Sequence, residues 1–231
     1  MQNGDKGFFP THFFFGSLLA PFLRLFFKLL YHQMSWSYDL VSAAVSVGRW
    51  KSWVKATLPY LSGERVLEIG HGPGHLQVAL WEKGVRTFGL DESRQMGSQA
   101  RLRLYNHGFD CLLISGYAQF LPFANQSFHQ VVSTFPTDYI VQPRTLEEIY
   151  RVLVPGGALV VLPLAWITGK RPHEKLAAWL FRVTGESPSH NISVIRQKFT
   201  EPFRKAGFST RLEVLQQDIG KLLLIHATRP E

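Results

Sequence analysis

Apolar residues recur along the chain with two different spacings, and from about residue 65 onward the two spacings alternate. Short apolar runs typical of buried strands occupy residues 65–69, 87–90, 110–115, 130–134 and 158–162. Apolar positions at helical spacing predict intervening helices over residues 75–83, 93–107 and 144–153. Because strands that alternate with helices form βαβ units, we predict an α/β fold with a parallel sheet and helices on both faces.

The last third of the chain follows a different pattern. Residues 168–189 are basic and punctuated by Pro and Gly around a predicted helix at 174–183, and a second helix is predicted at 194–206. Two apolar runs then follow at 210–217 and 221–228, with three residues between them. Such a short connection predicts an antiparallel hairpin that closes the sheet.

The N-terminal segment has the pattern of a basic amphipathic helix. Phe22, Phe26 and Leu29 follow helical spacing, whereas Arg24 and Lys28 share the opposite side. The basic residues come too late for a secretory signal and interrupt a membrane span, which needs roughly 20 apolar residues. The segment is typical of an interfacial helix, and the alternative is a lid on the domain. We therefore predict a helical cover over residues 1–58 and one domain over 59–231, with an insertion at about 165–192.

Charge and composition limit the partners and the chemistry. The chain of 231 residues has a net charge of +8, concentrated in residues 1–55 and 170–205. This excess favours an anionic partner, either lipid headgroups or nucleic acid, and a basic surface that only faces solvent is an equal alternative. A single cysteine excludes an internal disulfide, and no His/Cys/Asp grouping has metal-ligand spacing, so no metal is expected. We expect a cytoplasmic protein that attaches peripherally to a membrane surface.

The candidate chemistry lies where the first two predicted strands end. Glu68 is followed by glycines at 70, 72 and 74, which let the backbone turn sharply beside a ligand. A dinucleotide loop needs its third glycine at position 75, which is His75, so the spacing favours S-adenosylmethionine (SAM), which has no phosphate. Asp91 and Glu92 follow the second strand, where a carboxylate accepts from ribose hydroxyls. The turn at 116–119 follows the third strand, near the expected adenine edge.

Four motifs in residues 64–162 resemble those of the class I SAM-dependent methyltransferases, especially the group with quinone-biosynthesis and small-lipid enzymes. They are EIGHGPG at 68–74, DESRQM at 91–96, LPF with SF at 121–128, and EEIYRVLVPGG at 147–157. The resemblance implies a Rossmann-like, doubly wound sheet of seven strands whose last strand is antiparallel. It also implies SAM as cofactor, S-adenosylhomocysteine as its product, and no metal.

The resemblance also implies roles for individual residues. The methionine part would be held by Glu68, Gly70, His71, Gly72 and Gly74, with Thr134 at the end of the fourth strand. Asp91 and Glu92 would hold the ribose, and Tyr38 would close over the cofactor. Met96, Tyr117, Ala118 and Gln119 would surround the adenine. The chain departs from the family at Tyr117 and His129, where an aspartate is usual, and the first departure leaves the adenine contacts open.

The acceptor is less clearly indicated than the methyl donor. After the fourth strand the chain reads STFPTD at 133–138, without the Asn/Asp-Pro-Pro-aromatic run of enzymes that methylate nucleobases. Apolar and aromatic covers favour a hydrophobic small molecule or lipid at an anionic membrane surface and disfavour nucleic acid. Tyr139 and His32 are candidate general bases, and pocket lining is their alternative role. A nucleic-acid or protein methyltransferase and a non-catalytic SAM-binding protein remain open, as does the oligomeric state.

Overall fold

The computed structural model describes residues 48–110, 112–167, 192–218 and 220–231. The predicted N-terminal amphipathic helix, the other residues of the predicted cover before residue 48, and the predicted helix at 174–183 lie outside these residues. The division into a cover and a domain therefore stays a prediction. Within the described ranges, no helix is both long and apolar enough to cross a bilayer.

Strands and helices alternate through the described residues, as the spacing of apolar positions predicts. The strands are β1 (Arg65–Ile69), β2 (Arg86–Asp91), β3 (Leu112–Ser115), β4 (Phe128–Thr134), β5 (Leu153–Ile167), β6 (Ser209–Gln217) and β7 (Gly220–Thr228). The helices are α1 (Trp50–Lys55), α2 (His75–Glu82), α3 (Arg94–Asn106), α4 (Pro143–Val152) and α5 (Ile192–Lys205). Short 3₁₀ helices span Leu58–Tyr60 and Asp138–Val141.

The strands form one seven-stranded sheet in the order β3-β2-β1-β4-β5-β7-β6. Strands β1 to β5 pair in parallel, whereas β7 runs antiparallel to both β5 and β6. The Rossmann-like sheet with an antiparallel last strand is thus confirmed. The direction of winding reverses between β1 and β4, so a crevice opens beyond the carboxyl ends of these two strands.

Alternate residues of the central strands face two separate apolar cores. On β1, Leu67 and Ile69 face the core that α4 and α5 cover. Val66 faces the other core, which is covered by α1 and α2 and includes Trp53. Because side chains alternate along a strand, Glu68 points to the same face as Val66. The carboxyl group of Glu68, one residue before the end of this strand, is therefore buried beneath α2 rather than beneath α4.

Strand β5 is the element whose bounds differ most from the prediction, extending from Leu153 to Ile167 rather than over 158–162. Two pairings explain the difference. Phe128 of β4 pairs with Leu153 and Gln130 pairs with Ala158, so the intervening residues form a bulge that contains Gly156 at φ +74°. At the other end, pairing with β7 continues the strand as far as Ile167. Residues 155–157, the PGG at the end of the fourth motif, thus belong to a bulge inside the strand.

Candidate active site

The glycine loop connects β1 to α2, and two of its glycines are needed for close packing. Gly70 has φ +74°, and a Cβ at this position would collide with the hydroxyl oxygen of Tyr139. Gly74 has φ +85°, and a Cβ there would lie 2.9 Å from Cβ of Ala100 on α3. Larger residues would therefore strain the backbone and displace its neighbours. The loop lies close to the sheet and leaves open space beyond the end of β1.

Asp91, at the end of β2, fixes the position of the loop. Its Oδ2 accepts a hydrogen bond of 2.8 Å from the backbone N–H of Gly72. Its Oδ1 accepts one of 2.8 Å from the N–H of Ser93, at the start of α3. Each carboxylate oxygen can accept more than one hydrogen bond, so both retain capacity for a ligand hydroxyl. The carboxylate therefore joins the loop to β2 and still faces the crevice as an acceptor.

Glu68 is almost fully buried, with 1% of its surface exposed. Burial is the main reason that its pKa is raised to about 8, and the nearby Asp91 carboxylate adds to the rise. A hydrogen bond of 2.7 Å from Nε2 of Gln77 to Oε2 of Glu68 opposes the rise. The side chain is consequently an uncharged carboxylic acid near neutral pH, until a cation arrives beside it.

A cavity lies between the loop, α1 and the end of β4. It is lined by Trp50, Val54, Glu68, Gly70, His71, Gly72, Pro73, His75, Leu76 and Thr134. Five residues predicted to hold the methionine part thus meet here: Glu68, Gly70, His71, Gly72 and Thr134. Gly74 directly precedes α2. The structure places these residues together, and their role towards the cofactor remains a prediction.

Trp50 forms the wall of the cavity on the side of α1. Its ring stacks on Phe135 with centroids 4.2 Å apart, and Phe135 follows β4 with an unusual positive φ of +50°. Trp53 also approaches Phe135, at 6.4 Å between centroids. Because non-glycine residues rarely adopt a positive φ, this conformation is held by its surroundings. The stack joins the end of β4 to α1 and shields the cavity on that side.

His71 is buried in the loop and is uncharged near neutral pH. Its Nδ1 lies 2.7 Å from the carbonyl oxygen of Gly72, which can only accept, so the ring proton resides on Nδ1. Burial lowers the pKa of His71, and the attraction of Asp91 only partly offsets this effect. The imidazole therefore supports the loop and adds no positive charge to the cavity.

The predicted ribose and adenine residues lie beyond Asp91, on the side of β3. The N–H of Gly116 donates to the carbonyl of Asp91 at 3.0 Å, which brings the 116–119 turn beside the end of β2. In this turn Tyr117 is exposed and Ala118 is buried. Gln119 donates to Gln142 at 2.7 Å. The exposed Tyr117 provides no buried acceptor for an adenine amino group, so the departure from the family at this position persists in the structure.

Two further predicted residues flank Asp91. Glu92 is exposed, and no described hydrogen bond joins its side chain to the loop. Met96 is buried in the first turn of α3, and its N–H donates to the hydroxyl of Ser93 at 3.3 Å. The helix therefore begins with a serine N-cap, and Met96 is its third residue.

Tyr139, a candidate general base, lies on the 3₁₀ helix after β4 and contacts the glycine loop. Its hydroxyl is 3.0 Å from Oγ of Ser133 and 3.3 Å from the carbonyl oxygen of Ile69. Ser133 itself donates to Ile69 at 2.7 Å. The hydroxyl is thus part of a network that supports the turn out of β1. The other candidate base, His32, and Tyr38 lie outside the described residues.

Sequence reasoning did not select Gln77 or Thr87 for the site. Gln77 is fully buried on α2, and Oγ1 of Thr87 donates to its Oε1 at 3.0 Å. The available signal was a polar residue inside the apolar run HLQVAL at 75–80, together with a threonine inside a buried strand. Trp50 was also missed, because nothing in the local pattern indicates where α1 lies against the loop.

No three His, Cys, Asp or Glu side chains of the described ranges form a group able to hold a metal ion.

Known proteins with similar sequences and folds agree with this geometry. A methyltransferase-domain family model matches residues 66–157. The chain is 32% identical over 174 residues to a ubiquinone/menaquinone biosynthesis C-methyltransferase of Xanthomonas oryzae pv. oryzae, covering 69% of this chain and 67% of that relative. It is 34% identical over 137 residues to a demethylmenaquinone methyltransferase of Clavibacter sepedonicus, covering 57% of this chain and 55% of that relative. The chain spans about half to two thirds of the length of the curated relatives it matches.

A solved structure supports the same fold. Phosphoethanolamine N-methyltransferase 2 of Haemonchus contortus, determined with SAM, superposes with a TM-score of 0.57 and 19% identity, covering 88% of this chain and 60% of that chain. The sheet order and the glycine loop define the class I SAM-dependent methyltransferase fold. The chain belongs to this family, in the group that contains the quinone-biosynthesis methyltransferases. The cofactor of the family is SAM, and an uncharged glycine loop between two carboxyl groups fits it.

Proposed function

We propose that the chain transfers the methyl group of SAM to a hydrophobic acceptor of the quinone class. The observation that carries this proposal is the joint arrangement of Glu68, the glycine loop and Asp91 at the carboxyl ends of β1 and β2. A buried carboxyl group suits the ammonium of a methionine moiety, and an acceptor-only carboxylate suits the two ribose hydroxyls. Gly72 lies in the loop between Glu68 and Asp91, and its N–H donates a hydrogen bond to the Asp91 carboxylate.

An apolar crevice supports a hydrophobic acceptor. It lies between the 3₁₀ helix after β4, strand β5 and α5. Its lining is Pro136, Ile140, Val141, Val161, Pro163, Phe199, Phe203 and Ile225, without a charged residue. Pro136 follows Phe135 directly in the chain, but the crevice lies on the sheet face that α4 and α5 cover, whereas the cavity lies on the face that α1 and α2 cover. The names of the two similar proteins, which refer to ubiquinone and menaquinone, suggest an aromatic headgroup with an isoprenoid tail as its occupant.

The reaction requires alignment more than chemical assistance from the protein. SAM supplies a methyl group that its sulfonium charge already activates for in-line displacement. The chain holds the donor between Glu68 and Asp91, and the stack of Trp50 on Phe135 excludes water from one side. Orienting two reactants in this way contributes a large share of the rate acceleration. A general base is needed where the acceptor must lose a proton, and Tyr139 and His32 are the proposed candidates.

The proposed activity is tested with purified full-length protein, SAM labelled in the methyl group, and a demethylated menaquinone in mixed micelles. We expect labelled lipid that extracts into organic solvent, and a product heavier by one methylene in mass spectrometry. A quinone headgroup without a tail should react with a higher KM, because it leaves the apolar crevice empty. Label on RNA or protein, with none on the quinone, would overturn the proposed acceptor.

We further propose that residues 1–34 bind the protein to anionic membranes, where such an acceptor resides. The support is the sequence pattern, in which Arg24 and Lys28 lie opposite an apolar face rich in Phe. Co-sedimentation with anionic and neutral vesicles tests this for the full chain and for a chain without residues 1–34. We expect the full chain alone to pellet with anionic vesicles, and equal pelleting of both chains would contradict the proposal.

A further inference from the structure

Three buried polar side chains form a continuous row behind the cavity. Thr87 of β2 donates to Oε1 of Gln77 at 3.0 Å, and Nε2 of Gln77 donates to Oε2 of Glu68 at 2.7 Å. Their exposed fractions are 2%, 0% and 1%, respectively. Buried polar groups destabilise a fold unless they are hydrogen-bonded, and each member of this row is hydrogen-bonded to the next. The carboxyl group at its end faces the cavity.

The direction of each hydrogen bond in the row is determined by its neighbours. Nε2 of Gln77 also lies 3.3 Å from the backbone carbonyl oxygen of Phe88, which can only accept. The amide must therefore present its NH₂ group to Phe88 and Glu68, and its oxygen to the Thr87 hydroxyl. As a result Oε2 of Glu68 is always an acceptor. A proton on this carboxyl group must reside on Oε1, to which no described side chain or backbone group donates.

The fold provides the space that this arrangement needs. Gly89 lies on the same sheet face as Glu68, because the two residues are register partners in neighbouring strands. A Cβ on Gly89 would lie 2.5 Å from Cδ2 of Leu113 and 2.9 Å from Cδ2 of His71, and it would reach contact distance, 3.4 Å, of Nε2 of Gln77. A side chain at this position would therefore displace Leu113 and His71 and crowd the Gln77 amide.

We infer that Gln77, oriented by Thr87, is a positioning residue that holds Glu68 with Oε1 free to accept from the ammonium group of the methyl donor. This inference rests on the proposed function, which places the methionine part of SAM in the cavity. Gln77 does not contact the donor in this arrangement. It acts by occupying Oε2, so that only one oxygen of the carboxyl group is available to the ligand.

A proton exchange follows from the same geometry. The charged and titratable groups that face Glu68 are Asp91 on β2, His71 in the loop and His75 at the start of α2, and the described cavity lining contains no Lys or Arg. Burial raises the pKa of Glu68 to about 8, so the empty site holds a proton at pH 7. Binding an ammonium group at Oε1 expels that proton. The affinity for the donor therefore increases with pH up to about 8 and then levels off.

Calorimetric titration of S-adenosylhomocysteine between pH 6 and 8.5, in buffers of different ionisation enthalpy, tests the inference. We expect affinity to increase roughly tenfold between pH 6 and 7 in the wild type, with release of nearly one proton. The affinity of Glu68→Gln should not depend on pH in this way. Because both proteins bind the same ligand, the difference between their pH profiles excludes the titration of the ligand's own amino group. Gln77→Met should bind about tenfold more weakly at pH 7, with its pH profile displaced upward.

Thr87 offers a matched pair of variants in case Gln77→Met does not fold. Thr87→Ser keeps the hydroxyl donor and should bind within twofold of the wild type, whereas Thr87→Val should bind several-fold more weakly, with the same displaced profile. Wild-type affinity and pH profile in Thr87→Val would overturn the inference and leave the proposed function intact. So would identical proton release in the wild type and Glu68→Gln. Failure of the wild type to bind S-adenosylhomocysteine would contradict the proposed site, and the inference with it.

Discussion

Replacement of Glu68 by Gln should stabilise the unliganded protein at neutral pH. In the folded state the pKa of Glu68 is about 8, against about 4.3 in an unfolded chain. Because the folded-state pKa is raised, the stabilising contribution of the bound proton is complete below about pH 4 and is lost as the pH rises towards 8. Gln resembles the protonated acid in shape and can accept the same hydrogen bond from Gln77. The variant therefore does not lose stability through this group as the pH rises.

The size of the effect follows from the two pKa values. One pKa unit corresponds to about 1.4 kcal/mol, so the ceiling over the whole interval is about 5 kcal/mol. Between pH 5 and 7 the free energy of unfolding of the wild type should fall relative to the variant by at most about 2.7 kcal/mol. Other titrating groups are shared by the two proteins and cancel in the difference.

Urea unfolding at pH 5, 6, 7 and 8, followed by circular dichroism without SAM, measures this difference. We expect the stability advantage of the variant over the wild type to be small near pH 5 and to grow progressively towards pH 8. With excess S-adenosylhomocysteine at pH 7 the wild type should become the more stable protein, since only its ionised carboxylate can pair with the ammonium group of the ligand. Stability curves that stay parallel from pH 5 to 8 would refute the argument, because the native carboxyl group would then titrate like an unfolded one.

Three other substitutions probe the remaining parts of the site. Asp91→Ala should weaken S-adenosylhomocysteine binding at least tenfold, because it removes hydrogen bonds to a charged acceptor, and unchanged affinity in calorimetry would contradict the ribose assignment. Gly74→Ala should lower the free energy of unfolding by about 2–3 kcal/mol through backbone strain and the contact with Ala100, whereas the control Gly84→Ala, at φ +73° in open space, should lose only about 1 kcal/mol. Tyr139→Phe should reduce kcat by less than tenfold, because its hydroxyl is engaged with Ser133 and Ile69; a loss of a hundredfold with a changed pH profile would instead identify it as the base.

Most of the fold was predictable because each strand and helix has a local signal. The alternation of apolar runs predicted strands such as β1 at its observed bounds, and the short connection at 218–220 predicted the hairpin of β6 and β7. The length of β5 was not predictable from local spacing. It depends on a bulge at Gly156 and on pairing with β7, which are both long-range effects.

The candidate site divides in the same way. Glu68, Gly72 and Asp91 were identified because parallel strands place their carboxyl ends at one edge of a sheet, so residues after β1 and β2 must meet. Gln77 and Trp50 were missed because their roles depend on how α2 and α1 lie against that edge. Sequence periodicity shows which face of a helix is buried but not which side chain it brings against a given carboxyl group.

A crystal structure of the protein with S-adenosylhomocysteine would test the central claim most directly. The ammonium group of the ligand should lie within hydrogen-bond distance of Oε1 of Glu68, and both ribose hydroxyls should donate to the carboxylate of Asp91. Oε2 of Glu68 should keep its hydrogen bond from Gln77, and Trp50 should cover the methionine part. A ligand bound elsewhere, or an ammonium group held by other residues with Glu68 still buried and unengaged, would contradict it.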